Sequence, residues 1–205
     1  KKADISFVVA VSENKELLLA LIDRYHSPES IEKSFDLALT RSQVEAGYLN
    51  LKATEMELYQ NMISGLVFIS PTRKAYRSTI AKNTLGQPAL WKYGISGDLP
   101  IVLMTLGKMD HMDVLNDMLK AQEYWRLMDL SVDLVVVSQE AYSYALPLFT
   151  LITDIVLSGQ THTLTEIPKD IFLLDGNKVP PEDLALLHAV ARIIINGNGA
   201  TLAEQ

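Results

Sequence analysis

The stretch LWKYGISGDLPIVLM, Leu90 to Met104, holds the residues whose types and spacing most readily suggest chemistry. Its glycines would let a ligand or another backbone come close, and Ser96 and Asp98 would supply polar groups. A phosphate cradle of the dinucleotide or P-loop kind follows a strand and opens a helix, because the phosphate must meet the helix N-terminus. Here the order is reversed, since the glycines precede the apolar run Ile101–Leu106. A serine nucleophile of the G-x-S-x-G kind needs a strand-to-helix elbow, and GISGD lacks both the second spacer and that position. In parallel sheets ligands collect at the carboxyl ends of strands, and this loop lies at an amino end. Asp98 ahead of Leu99-Pro100 fits a turn, and Gly94 and Gly97 fit positive φ. The stretch therefore reads as a tight entry into a buried strand, with Trp91 and Tyr93 as packing anchors or an interface patch. Trp91, Tyr93, Ser96 and Asp98 are the candidate ligand-binding or interface residues. No residue is assigned a catalytic or metal-ligating role.

The other chemical candidates each have a plainer explanation. GKMDHMD, SQEAYSY and DGNKVPPED follow apolar runs, where a ligand-binding α/β domain would place its loops. Asp110 and Asp113 are explained as helix-start acids that complement the helix dipole, and Asp175-Gly176-Asn177 as a turn. The four histidines (26, 111, 162 and 188) show no metal-binding spacing. Glu123, Asp129 and Glu140 could join a carboxylate pair only if the fold brought them together, and a solvated acidic surface explains them better. The basic run TRKAYRSTIAK, Thr72–Lys82, could hold a phosphate or an acidic neighbour, but reads first as a solvated connector. With no cysteine, disulfides, thiolate metal sites and cysteine nucleophiles are excluded.

These residues need elements to position them. Ile5–Val11 reads as a short β-branched strand with no partner nearby, which is unstable alone. Ser12 is expected to cap a helix through Tyr25, with Leu17, Leu18, Leu21 and Ile22 on one face. Ser27-Pro28 starts a second helix to about Gly47. Thr54 with Glu57 reads as a capping box for a third, running to about Phe68. Residues 71–90 lack periodicity. Beyond them come strands at Ile101–Leu106, Ser131–Val137 and Asp170–Leu174. They alternate with helices over Asp110–Asp129, Ser143–Ser158 and Pro180–Asn196. Continuous apolar strands alternating with helices imply a parallel sheet covered on both faces. The fold class is α/β: a helical segment followed by a small three-layer β-α-β-α-β-α unit with right-handed crossovers. The expected organisation is a strand at 1–11 from a preceding sandwich, a helical linker at 12–70, a connector at 71–90 and an α/β domain at 91–205.

Composition limits the partners. Hydrophobic content of 48% and charged content of 21% suit a folded globular chain. The net charge of -7 disfavours nucleic acid. Residues 1–85 carry 11 basic and 10 acidic side chains, a net of +1, and residues 86–205 carry 7 and 15, a net of -8, so the halves are expected to be different units. No apolar run approaches the roughly 18 residues that span a bilayer, and the opening does not read as a signal peptide. The chain opens directly into DISFVVAV, which suggests a piece of a longer protein.

Several stretches resemble one family. FVVAVSENKELLLALIDRYHSPESIEKSFDLALTRSQVE (7–45) is similar to the end of an N-terminal β-sandwich and its helical linker in cellobiose-phosphorylase-like enzymes. LGQPALWKYGISGDLPIVLM (85–104), KAQEYWRLMDLSVDLVVVSQE (120–140) and NGNGATLAEQ (196–205) resemble a branch of that family. That branch comprises the 1,2-β-oligoglucan phosphorylases and the carboxyl-terminal part of cyclic β-1,2-glucan synthases. The resemblance covers nearly the whole chain in order and does not separate the two members. It implies a large multidomain parent, a glycosyltransferase or inverting phosphorylase that breaks and makes β-1,2-glucosidic bonds, using inorganic phosphate if a phosphorylase. In that family the general acid and phosphate-binding residues lie in an (α/α)6 barrel, and none of those motifs occurs here.

By that resemblance this chain is a non-catalytic module that positions neighbouring domains of its own chain or forms a homodimer. It needs no cofactor, touches no nucleic acid or membrane, and lies in the cytoplasm, with a synthase parent attached to the inner membrane. Two other readings compete. A carbohydrate-binding module for β-1,2-glucan would stack sugars on Trp91, Tyr93, Trp125, Tyr142 and Tyr144 and would show an exposed, coplanar ring pair. A small independent enzyme would line a pocket with Asp110, Ser138, Glu140 and Asn177.

Overall fold

The computed structural model describes residues 7–107, 112–139, 147–158, 168–197 and 200–205, leaving out the side chains of residues 45 and 46. Its contacts divide the chain into two compact units, Lys1–Asn50 and Leu51–Gln205. The division falls ahead of the third helix.

The first unit is a helical pair. Residues 7–11 carry no regular secondary structure, so the described part of the expected first strand is not formed. Helix α1 (Lys15–Tyr25) starts at Asn14, whose Oδ1 accepts from the Leu17 N–H at 2.8 Å. Asn14 thus takes the capping role expected of Ser12. Helix α2 (Pro28–Tyr48) opens at the expected Ser-Pro pair, where Ser27 Oγ accepts from the Ser30 N–H at 3.2 Å. The two helices pack together. Helix α1 buries no residue, and Ser42 is the only buried one among the described residues of this unit.

The second unit opens with α3 (Ala53–Val67). Its start is held by Glu55, whose carboxylate accepts from the Lys52 N–H at 2.7 Å, in place of the expected Thr54–Glu57 box. A 3-10 segment (Pro71–Tyr76), the short α4 (Arg77–Ile80) and a second 3-10 segment (Gln87–Tyr93) fill the stretch expected to be a plain connector. Then follow β1 (Ile101–Leu106), α5 (Met112–Leu127), β2 (Asp133–Ser138), α6 (Pro147–Ser158), β3 (Ile171–Asp175), α7 (Pro181–Val190) and β4 (Ile193–Asn196).

The four strands form one parallel sheet in the order β3-β2-β1-β4. From β1 to β3 the chain steps one way along the sheet, and at β4 it returns to the far side of β1. Right-handed crossovers therefore put α5 and α6 on one face and α7 on the other. Every residue of β1 and β2 is buried, as a two-sided sheet requires. On the α7 face Ile101, Leu103, Val135, Val137 and Ile194 pack with Leu186, Leu187, Leu90 and Ile95. Helix α5 buries Trp125 and Tyr124 fully, and α3 docks on it. The indole Nε1–H of Trp125 donates to the Tyr59 carbonyl at 2.9 Å.

The fourth strand corrects the expectation of a helix through Asn196. Helix α7 stops at Val190, and Ile193, Ile194 and Ile195 are buried beside β1. An all-apolar run cannot be divided between buried helix and buried strand by periodicity. Three consecutive β-branched side chains prefer the pleated backbone.

Candidate functional site

The loop that leads into β1 is built around one carbonyl. The 3-10 segment ends at Gly94, with φ of 77°, and the next reversal is Gly97, with φ of 79°. Both positions favour glycine, as the sequence suggests. At Gly97 a Cβ would also press to 2.9 Å from Gln87 Cγ and 3.0 Å from Leu90 Cδ1. Between the glycines Ile95 is fully buried, which drives the loop onto the core. The Ser96 carbonyl accepts from the Trp91 Nε1–H at 3.3 Å and the Gln87 Nε2–H at 2.9 Å. Gln87 Nε2 also donates to Asp98 Oδ1 at 3.1 Å, and the Asp98 N–H donates to Ser96 Oγ at 3.1 Å. Trp91, Ser96 and Asp98 thus stand in one hydrogen-bonded cluster. Trp91 remains 62% exposed.

Tyr93 points the other way. Its hydroxyl donates to Asp183 Oδ2 at 2.6 Å, and the Lys92 ammonium pairs with the same oxygen. Asp183 lies in the first turn of α7, where the helix dipole favours a carboxylate. Its side chain is 1% exposed, and Oδ1 is buried with no hydrogen-bond partner. Burial pushes the Asp183 carboxyl up, but the bonds from Lys92 and Tyr93 outweigh it and hold the group below its usual range. The same burial, followed by the Asp183 bond, raises the Tyr93 phenol well above its ordinary value. Tyr93 is therefore a neutral donor that latches the loop to α7. Asp183 was not singled out by the sequence reading, because an acid after Pro180-Pro181 looks like any helix-start residue.

A second electrostatic feature sits at the amino ends of the strands. Asp133 opens β2 at 4% exposure, and burial pushes its carboxyl up to about 6, helped by the charges of Asp170 and Asp98. Nearby, Gln122 Nε2 donates to the carbonyls of Asp170 at 3.1 Å and Val132 at 3.3 Å, while its Oε1 is buried and unpartnered. The signal in the sequence is one acid inside the apolar run VDLVVV.

The remaining candidates do not converge. Arg73, from the basic run, donates to the Ala191 carbonyl at 2.5 Å and the Ala189 carbonyl at 2.9 Å, closing the end of α7. Asp113 lies in the first turn of α5, and Asp175 with Asn177 forms a turn. Asp110, His111, Glu140, Tyr142, Tyr144 and His162 lie outside the described residues. Trp125 is wholly buried and Tyr93 is turned to Asp183, so these rings form no exposed, coplanar pair with Trp91, and a sugar platform on this loop would rest on Trp91 alone. Among the described residues no group of three acids or histidines is placed to hold a metal ion. No described helix is long and apolar enough to cross a membrane. A cleft of about 440 Å³ lies beside β4; of its polar lining residues, Asn196 and Gln205 are bonded to each other and Thr72 Oγ1 accepts from the Ile194 N–H.

No family model matches this chain. It is 28% identical over 206 residues to the cyclic beta-(1,2)-glucan synthase NdvB of Rhizobium meliloti (strain 1021). The match takes in 100% of this chain and 7% of that protein. The chain is thus similar along its whole length to one small segment of a much longer glucan synthase.

Proposed function

We propose that this chain is a structural and interaction module of a longer enzyme that makes or phosphorolyses β-1,2-glucan, and that it positions neighbouring domains. The observation that carries this reading is the stripe Ile31, Phe35 and Leu39 on α2, at i, i+4 and i+8, exposed at 37%, 72% and 56%. An amphipathic helix normally turns such a stripe inward. Leu17, Leu19 and Ile22 on α1 are exposed as well, so the helical pair presents apolar surface that fits a protein neighbour. The similarity to 7% of a multidomain-sized synthase supports a neighbour within the same polypeptide. The reacting groups, and inorganic phosphate for a phosphorolytic parent, would then belong to another part of that enzyme.

The test is Phe35→Ser with Leu39→Ser in the full-length enzyme and in the 205-residue chain. The short chain should keep its stability within about 0.5 kcal/mol, because both positions are exposed there. The full-length variant should lose about 2 kcal/mol or more from a Phe–Leu contact, read as earlier thermal inactivation and faster proteolysis around residues 12–48. Unchanged stability and rate in the full-length variant would refute the reading. A concentration-dependent dimer abolished by the same changes would assign the stripe to a second copy instead.

A further inference from the structure

We infer that Trp91 and the loop beneath it form a glucosyl-binding subsite for a β-1,2-glucan chain; the choice of glucan rests on the reading above, and the subsite itself on the loop's geometry. A tryptophan left 62% exposed is unusual, since this side chain has the most apolar area to lose from water. Trp91 is also held in place, with its Nε1–H tied to the Ser96 carbonyl at 3.3 Å. The backbone under it is fixed by buried Leu90 and Ile95 and by the two positive-φ glycines. Directly beside it, Lys92 and Tyr93 latch the segment to Asp183 on α7. Little conformational freedom remains to be lost when a ligand stacks on the ring.

The surroundings choose the ligand class. A protein hot spot sits in an apolar, desolvated patch. Around Trp91 in the chain the exposed side chains are Gln87, Pro88, Lys92, Ser96 and Asp98, with Leu99 at the margin, so polar groups outnumber apolar ones. A flat apolar ring in one hydrogen-bonded cluster with carboxylate, amide and hydroxyl groups matches a pyranose, which offers C–H bonds on its face and hydroxyls on its rim. Asp98 and Gln87 would take those hydroxyls. The loop's place at the amino end of β1, away from the strand ends where catalytic loops gather, suits holding a chain and not reacting with it.

The chain has two tryptophans, and Trp125 is wholly buried, so acrylamide quenching reports on Trp91. Linear β-1,2-gluco-oligosaccharides are titrated into the folded 205-residue chain, with cello-oligosaccharides as control. Expected are saturable protection of Trp91 from quenching and a matching calorimetric isotherm. Trp91→Ala should leave circular dichroism unchanged and weaken binding about tenfold or more. Asp98→Asn should weaken it by a smaller factor while quenching of the free protein stays as before. Binding that survives Trp91→Ala overturns the subsite. So does absence of protection by either glucan, which leaves the domain-contact reading to its own variants. Equal protection by both glucans refutes the β-1,2 assignment and places the failure in the parent reading.

Discussion

Replacing Asp133 by Asn should stabilise the chain at neutral pH, and by an amount that depends on pH. Asp133 opens β2 at 4% exposure, and its carboxyl is pushed up to about 6 from an ordinary 3.8. Burial is the main cause, and the negative charges of Asp170 and Asp98 add to it. A gap of about 2 pH units is worth about 3 kcal/mol, taken as a ceiling. The folded-state value lies above the unfolded one. The protonated group's favourable contribution is therefore full below about pH 4 and is lost as pH rises through about 6. Asn carries no charge and escapes that loss. The difference in unfolding free energy, variant minus parent, should climb by about 2–3 kcal/mol between pH 4 and 6.5 and then level off. Urea unfolding followed by circular dichroism across that range measures it. Asp183 and Glu55, whose carboxyls are held low, pull the pH profile the other way in both proteins and cancel in the difference. A difference that stays constant with pH would refute the reasoning.

Tyr93→Phe removes one donor from buried, charged Asp183 and should cost about 2 kcal/mol near neutral pH. Asp183 sits below its usual range only because its donors outweigh burial. The stability it contributes is present above the unfolded pKa and is lost as pH falls, so the Tyr93→Phe penalty should shrink in acid. A penalty that grows toward pH 3 would contradict this. Gly176→Ala should cost several kcal/mol by thermal unfolding, because its Cβ would collide with the Ser138 carbonyl between β2 and β3. A melting temperature equal to the parent's would show that the strand ends yield.

How much of this was legible in the sequence follows from the kind of signal each element carries. The α/β class was readable because short continuous apolar runs, Ile101–Leu106 and Leu134–Val137, alternate with helix-periodic segments, the pattern of a parallel sheet covered on both faces. The turn character of Gly94 and Gly97 was readable because positive φ is a property of the local backbone. The candidate loop was found for the same reason: an aromatic pair beside two glycines and an acid stands out along the chain. Local chemistry also located α2 at Ser27-Pro28.

The tertiary structure decided what depends on who lies across from whom. Ile193–Ile195 became a strand because β1 had a free edge to pair with, whereas the apolar periodicity of the segment continued that of the helix before it. Arg73 looked like part of a solvated basic run until its guanidinium met the carbonyls at the end of α7. Asp183 and Asp133 were unremarkable as letters, and their chemistry comes from burial and from partners 90 and 37 residues away, Tyr93 and Asp170. Of the two tryptophans, composition could not say which stacks inside and which faces water. Hydrophobic pattern sets which segments must be covered, whereas charge state and exposure are properties of the space around a side chain, and the fold alone creates that space.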